Sequence, residues 1–238
     1  MATILNIETS TEVCSVSISE KGQTLFEKEE QEGLKHSELL TVFIEELFRE
    51  NNLKMDMLDA ISVSKGPGSY TGLRIGVSVA KGLCYALEKP LIAISTLDAL
   101  ASYTSKKAET YFPELSENEQ LTLCPMIDAR RMEVYTALYD RNGEQISPVT
   151  ATIIDEEAFS AFLEKGKMLF FGNGADKCKK TLTHPHALFS GPRKASARFM
   201  QNVAEAKYNK KDFENVAYFE PFYLKNFIAT IPKNKIIK

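Results

Sequence analysis

The sequence predicts an α/β fold of two related units, each a mixed sheet with packed helices. Three observations carry this expectation. A meander of short β-branched runs opens the chain, strands then alternate with amphipathic helices, and a second meander begins beyond a polar stretch at residues 105–120. Alternating strands and helices imply right-handed crossovers and a partly parallel sheet.

Taken in order, residues 3–8 (TILNIE) and 13–19 (VCSVSIS) read as strands parted by the polar turn Thr9-Ser10-Thr11-Glu12. A run from Gln23 to Glu29 follows the Lys21-Gly22 turn and completes an antiparallel meander. From His36 to Glu50, Leu40, Phe43, Ile44, Leu47 and Phe48 recur at helical spacing, with Ser37 suited to cap the start and Glu38 to its positive end. Asp59 to Ser64 reads as a buried strand, Lys65 to Thr71 as a glycine-rich turn, Thr71 to Leu87 as a helix and Leu91 to Ser95 as a strand. Ser95-x-x-Asp98 then opens a helix through Tyr103 in the manner of a capping box.

The polar, proline-bearing stretch 105–120 places a boundary, giving units at 1–105 and 106–238. The second unit begins with strands at Leu121–Ile127 and Glu133–Asp140. Asn142-Gly143 signals a type I′ hairpin leading into a strand near Ile146–Ile153. Asp155 is placed to cap a helix to about Lys165, Met168–Phe171 is a strand, and Gly172-Asn173-Gly174 is a turn. A helix from Ala195 to about Asn209 is expected to fold back onto the first unit. Two meander-led units suggest a duplicated fold.

The chain has 238 residues, one large or two small domains at ~150 residues each. At this size folding removes roughly 70–75% of the extended surface from water, so no disulfide or structural metal is required. With 44% hydrophobic and 26% charged residues the composition excludes a disordered or collagen-like chain. A balance of 29 Lys and Arg against 32 Asp and Glu lacks the basic excess of a chain that holds nucleic acid alone. Cys14, Cys84, Cys124 and Cys178 form no CxxC pair, which fits a reducing cytoplasm. No basic-then-apolar leader and no long apolar run is present, so secretion and membrane spanning are not expected.

The densest chemical signal is KGPGSYTGLR at residues 65–74, between a strand and a helix. Gly66 and Gly68 let backbone N–H groups face an anion at a helix N-terminus, and Ser69, Thr71 and Arg74 add donors. The spacing is neither GxxxxGK[ST] nor GxGxxG, and a sharp turn with no ligand is the competing reading. Gly68, Gly72, Gly76 and Ala80 recur every four residues, leaving one helix face without bulky side chains. That face is packed closely either by the protein's own sheet or by a partner helix. Glu8, Ser10 and Thr11 put a carboxylate and hydroxyls where a hairpin can touch phosphate or magnesium. Asp128-Ala129-Arg130-Arg131 reads as a solvated turn or an ion pair, His36 as a helix-start hydrogen-bonding residue, and the Lys233–Lys238 tail as a solvated end. His184-Pro185-His186 lacks a third metal ligand. No catalytic residue and no metal site is assigned.

ILNIETST, SVSKGPGSYTGLRIGVSVAKGL, IDARRMEVYTALYD, FFGNGA and PFYLK, spread over nearly the whole chain, together resemble the bacterial TsaB (YeaZ) family. The resemblance implies an actin-like ATPase (ASKHA) fold of two related lobes. It also implies a non-catalytic scaffold role in making N6-threonylcarbamoyladenosine at position 37 of tRNAs that read codons beginning with A. The implied partners are a TsaD-type threonylcarbamoyl transferase and a TsaE-type ATPase, with a homodimer when the chain is alone and tRNA reached only through the complex. The catalytic paralogue carries an HxxxH metal pair, a spacing that His36, His184 and His186 never show. Position 8 is Glu where the family more often has Asp, which argues against tight independent ATP binding. Cofactors are therefore none intrinsic, with ATP or ADP and magnesium held weakly or shared at an interface. By the resemblance the small-residue strip Gly72, Arg74, Gly76 and Ala80, with Leu40, Phe43, Ile44 and Leu47 of the preceding helix, forms the partner surface. The alternative is a stand-alone ATP-dependent transferase or kinase; a peptidase ranks last, as the chain shows no nucleophile dyad or HExxH helix.

Overall fold

The computed structural model describes residues 2–31, 35–111 and 120–225. The chain runs β1 (Thr3–Glu8), β2 (Cys14–Glu20), β3 (Gln23–Glu30), α1 (His36–Glu50), β4 (Ala60–Gly66), α2 (Tyr70–Leu87), β5 (Leu91–Ser95) and α3 (Thr96–Ser105). After a single turn, α4 (Ala108–Tyr111), come β6 (Leu121–Asp128), β7 (Glu133–Thr136), β8 (Thr150–Ile153), α5 (Ser160–Leu163), β9 (Lys167–Phe171), α6 (Ala175–Cys178) and β10 (Ala187–Phe189). A 3-10 turn at Ala197–Phe199 leads into α7 (Gln201–Lys210).

The strands form two sheets, ordered β3-β2-β1-β4-β5 and β8-β7-β6-β9-β10. In each, the first three strands are antiparallel and the last two add in parallel. The second sheet thus repeats the topology of the first, as a duplicated fold requires.

Burial explains the strand sequences. β1 and β4 have layers on both faces, so they are buried almost throughout and do not need strict alternation. Leu5, Ile7, Ile61 and Val63 face α1 and α2, meeting Leu40, Ile44, Leu47, Val77 and Ala80. Ile4, Ala60, Ile92 and Ile94 face the other way, into a core shared with α3, α7 and the second sheet through Leu100, Met200, Ala204, Leu123 and Phe171. α7, which begins at Gln201 and not at Ala195, packs on the first sheet. Higher on that inner face the sheet turns polar. Asn6 Nδ2 donates to Ser17 and Ser19 hydroxyls at 3.2 and 2.9 Å, and Ser62 donates to Asn6 Oδ1 at 2.6 Å. Each of these buried groups has a partner, the condition for burying them without a large penalty.

Several local expectations are corrected. Ser37 does not cap α1: the helix follows Lys35 with no side-chain cap, because His36 is drawn into its first turn by a 3.1 Å contact of Nε2 with Val13 O. The Asn142-Gly143 turn is not type I′. Only Gly143 has positive φ (85°), while Asp140 Oδ1 accepts from Asn142 N and Glu144 N at 2.9 Å, so a local side-chain turn replaces the two-residue hairpin. The flanking strands shorten because Tyr139 leaves β7 to pair with Leu123. The helix expected over 155–165 is reduced to α5, since Phe159 takes φ 66° with its ring against Phe170 at 5.6 Å. Strand β10 has no counterpart among the expected elements. Of the expected linker 105–120, residues 112–119 lie outside the described residues, as does the Lys233–Lys238 tail.

Candidate functional site

The β1–β2 turn and the β6–β7 turn face each other across a cleft of about 570 Å³. The loop before α2, Asn173 after β9 and the segment Phe222–Lys225 complete its lining. Most of the lining is strand-end turns and loops, with Ile127 and Asp128 at the end of β6, Tyr135 of β7 and the first turn of α2 (Tyr70, Thr71) contributing from regular elements.

On the first side the glycine-rich loop is stitched to the β1–β2 turn. Ser69 N donates to Ser10 O at 2.6 Å, and Thr9 Oγ1 donates to Gly72 O at 2.8 Å. Ser69 also caps α2, its Oγ accepting from Gly72 N at 3.2 Å. The glycines make this approach attainable. A Cβ on Gly68 would lie 2.2 Å from Ser10 O, on Gly72 2.1 Å from Thr9 O, and on Gly76 2.2 Å from Thr9 Oγ1. The small-residue strip is therefore filled by the chain's own Thr9-Ser10 turn, and Ala80 lies in the core.

Of the two readings of this strip, packing by the protein's own chain is the one observed, and the strip is not a partner surface. Gly72, Gly76, Ala80, Leu40, Ile44 and Leu47 are all buried within this chain; of the expected partner surface only Arg74, which is exposed, and the half-buried Phe43 reach the outside. The face that α1 and α2 do present carries exposed Val42, half-buried Leu39, Ile75 and Val79, and Gly82, above which there is open space.

Of the expected anion residues, Ser10, Thr11, Gly68, Ser69 and Thr71 line the cleft. Glu8 and Gly66 do not. Gly66 (φ 104°) sits behind it, where a Cβ would meet Phe222 O at 2.9 Å. Glu8 is fully buried beneath the turn, with Oε1 accepting from Ser10 N at 2.6 Å and Ser64 Oγ at 3.0 Å, and Oε2 without a partner. Burial pushes its pKa up, and hydrogen bonds from Ser10 and Ser64 offset that only in part.

The second side repeats the pattern with different chemistry. Asp128 ends β6 as Glu8 ends β1, yet it is exposed and ion-paired with Lys177, as the ion-pair reading expects. Its Oδ1 accepts from Arg130 N at 2.8 Å, and Arg130 and Arg131 both hold left-handed backbone (φ 70° and 48°). Asn173 bridges the two sides: its Oδ1 accepts from Asp128 N and its Nδ2 donates to Glu12 Oε2, each at 2.9 Å. His184 and His186 sit apart from the cleft, and His186 Nδ1 contacts Leu163 O at 2.8 Å. Sequence reasoning missed Glu12, Asn173, Tyr70 and Tyr223. The glycines flanking Asn173 marked its turn, and Glu12, Tyr70 and Tyr223 lie inside stretches that stood out as a whole, with nothing to single out these side chains.

Two topologically matched sheets closing on one cleft through their strand-end turns define the actin-like ATPase (ASKHA) class. The family model for TsaD, tRNA N6-adenosine threonylcarbamoyltransferase, matches residues 30–233. The tRNA threonylcarbamoyladenosine biosynthesis protein TsaB of Haemophilus influenzae is 28% identical over 236 residues, 95% of each chain. TsaB of Escherichia coli is 30% identical over 175 residues, 72% of this chain and 71% of that one. The solved structure of YeaZ from Pseudomonas aeruginosa shares the fold, with a TM-score of 0.74 at 24% identity, covering 94% of this chain and all of that one. The chain belongs to the TsaB (YeaZ) family. No helix among the described residues is long and apolar enough to cross a membrane.

Proposed function

We propose that this chain is a non-catalytic scaffold or activator subunit in N6-threonylcarbamoyladenosine biosynthesis on tRNA, docking a TsaD-type transferase through the outward face of α1 and α2. The observation that carries the non-catalytic reading is the state of the two strand-end carboxylates flanking the cleft. Glu8 is enclosed and bonded to its own turn, and Asp128 is neutralised by Lys177. These residues do not suit magnesium, which demands accessible oxygen ligands in a near-ideal octahedron, since the unpartnered Glu8 Oε2 is fully buried and outside the cleft. Any ATP or ADP then belongs to the partner interface, a TsaE-type ATPase supplies hydrolysis, and tRNA is reached through the complex.

The docking face has the composition of an interface core, apolar and free of charge at Val42, Phe43, Ile75 and Val79, with Gly82 admitting close approach of a facing helix. Alone, the same face suits a homodimer with α1 and α2 packed on their copies. Co-purification with a TsaD-type protein, compared between the wild type and Val79→Glu, tests this. A charge there is expected to abolish the complex and to lower threonylcarbamoyladenosine in tRNA, and an unchanged modification level after deletion of the gene would refute the role. A hydroxyl-lined cleft favours a second reading, a stand-alone ATP-dependent transferase or kinase. Calorimetric titration of the free chain with Mg-ATP separates the two: micromolar binding with turnover supports the second, and no heat supports the first.

A further inference from the structure

Beyond α7 the chain touches the edge of the first sheet, where Glu214 bridges Leu91 at the start of β5, and then runs along α2 from one end of that helix to the other. Glu214 N donates to Leu91 O at 2.9 Å beside the C-terminal end of α2. Lys81 then holds two carbonyls of the segment, Ala217 O at 3.2 Å and Phe219 O at 3.1 Å, while Val216 and Phe219 pack on the α1–α2 core cluster. This rear grip is apolar and anchored by several bonds.

The front of the segment is built differently. Phe222 N donates to Lys65 O at 2.7 Å, and the Tyr223 ring lies 4.8 Å from that of Tyr70. Arg74 donates through Nε to Tyr223 OH at 3.0 Å, and its guanidinium sits 4.2 Å from the Tyr70 ring centroid and 5.8 Å from that of Tyr223. Lys225 crosses to the second sheet and pairs with Glu133 on β7. Residues 222–225 therefore join the two lips of the cleft and line it. Among the described residues this grip rests on side-chain contacts of half-buried or exposed groups and one backbone bond. Between the two grips stand Glu220 and Pro221, and proline has no N–H to lose when the segment swings.

Arg74 links this front grip to another surface. It is exposed on α2, one residue before Ile75 of the proposed docking face, and its guanidinium already shares itself between two tyrosines. A carboxylate on a docked protein makes a stronger, charge-assisted pair with a guanidinium than a phenol does. We infer that residues 220–225 are a latch across the cleft, held shut by Arg74 and released when a partner on the α1–α2 face claims that guanidinium. The release step rests on docking at that face; the latch itself does not.

The test uses the full chain and two readouts. In amide hydrogen exchange, Arg74→Ala is expected to lower protection at Phe222, whose N–H bonds Lys65 O, about tenfold while residues 214–219 keep theirs. Unchanged protection at Phe222, or equal loss over 214–219, overturns the latch. The second readout is a thiol placed in the cleft as Ala129→Cys, where the four native cysteines, all buried, give no background. Its labelling by a thiol reagent is expected to quicken when Arg74→Ala is added; equal rates count against closure. Adding a TsaD-type protein to the chain with native Arg74 is then expected to raise exchange at Phe222. A complex that forms with Phe222 equally or better protected overturns the release step alone. Failure to form any complex refutes the docking reading and release with it, and leaves the latch result standing.

Discussion

Replacing Gly76 by alanine tests the packing on which the cleft depends. In an exposed helix this change stabilises by about 1 kcal/mol, because alanine gives up less backbone freedom. Here the new methyl would lie 2.2 Å from Thr9 Oγ1, far inside contact distance. Thr9 can relieve the overlap only by rotating away, which gives up its 2.8 Å bond to Gly72 O, a net loss of about 1 kcal/mol. Overpacking a filled site adds about 1–3 kcal/mol. Set against the helical gain, the variant is expected to lose about 1–3 kcal/mol, read as a lower urea midpoint at unchanged slope. Thr9→Ala removes the offending oxygen and leaves the Thr9 Cβ at an ordinary 3.4 Å. In that background Gly76→Ala should cost little, a coupling of about 2 kcal/mol in a double-mutant cycle. Gly82→Ala, with open space above it, is the control and should stabilise by about 0.5–1 kcal/mol. Gly72→Ala should be worse than Gly76→Ala, since its neighbour at 2.1 Å is the Thr9 carbonyl, which cannot rotate aside. If Gly76→Ala stabilises as Gly82→Ala does, or shows no coupling to Thr9, the reasoning about this strip fails.

Other consequences are checked as directly. Tyr139→Phe removes the 2.6 Å bond from a buried phenol to Asp98 Oδ1, which ties β7's continuation to α3, and should cost about 1.5–3 kcal/mol in urea unfolding. Glu8 predicts a pH dependence. Its folded pKa is raised, so above about pH 4.3 the unfolded chain sheds the proton first and stability falls as pH climbs towards the folded value. Glu8→Gln should flatten that slope in urea midpoints taken across this range, and an unaltered slope would assign it to other groups. The thiols should be silent in the native chain. Burial pushes Cys14 to about 11 and Cys84 and Cys124 to about 12, and it raises Cys178 too. A thiol-specific reagent should count none before urea and all four after.

What was legible in the sequence is what is local. Helical spacing in α1, β-branched runs in β1 and β4, and Ser95 before α3 are decided within a few residues, and they stand where expected. The four-residue spacing of Gly68, Gly72 and Gly76 was legible as close packing, but not what does the packing. Thr9 and Gly72 are 63 positions apart, so only tertiary structure could choose between the chain's own turn and a partner. Still longer separations, 161 and 149 positions, hide Asn173 from Glu12 and Arg74 from Tyr223. Phe159 and Tyr139 misled locally because ring packing against Phe170 and strand pairing with Leu123 overrode the pattern.

The duplication shows why the proposed docking face lies in the first half of the chain. In both sheets a glycine after the fourth strand is pressed against a carbonyl of the first strand or of the turn that follows it: Gly68 against Ser10 O in the β1–β2 turn, and Gly172, with φ 95°, against Met126 O of β6, at 2.2 and 2.3 Å from a would-be Cβ. The two halves share this backbone solution and differ in the helix built after it. Beyond β4 the chain forms α2 of 18 residues, whereas beyond β9 it forms α6 of four. The outer face of the second sheet is closed by short elements, with Leu163 and Cys178 reaching inward and little regular surface left over. The first sheet carries two long helices whose inner faces complete the core and whose outer faces exceed what that core needs. A helix of 18 residues spans about 27 Å, long enough to offer several turns to a facing helix while its other flank carries the strap from Glu214 to Tyr223. If docking belongs there, substitutions on α1 and α2 at Val42 or Val79 should break the complex without unfolding the chain, and charges placed on α5 or α6 should leave it intact.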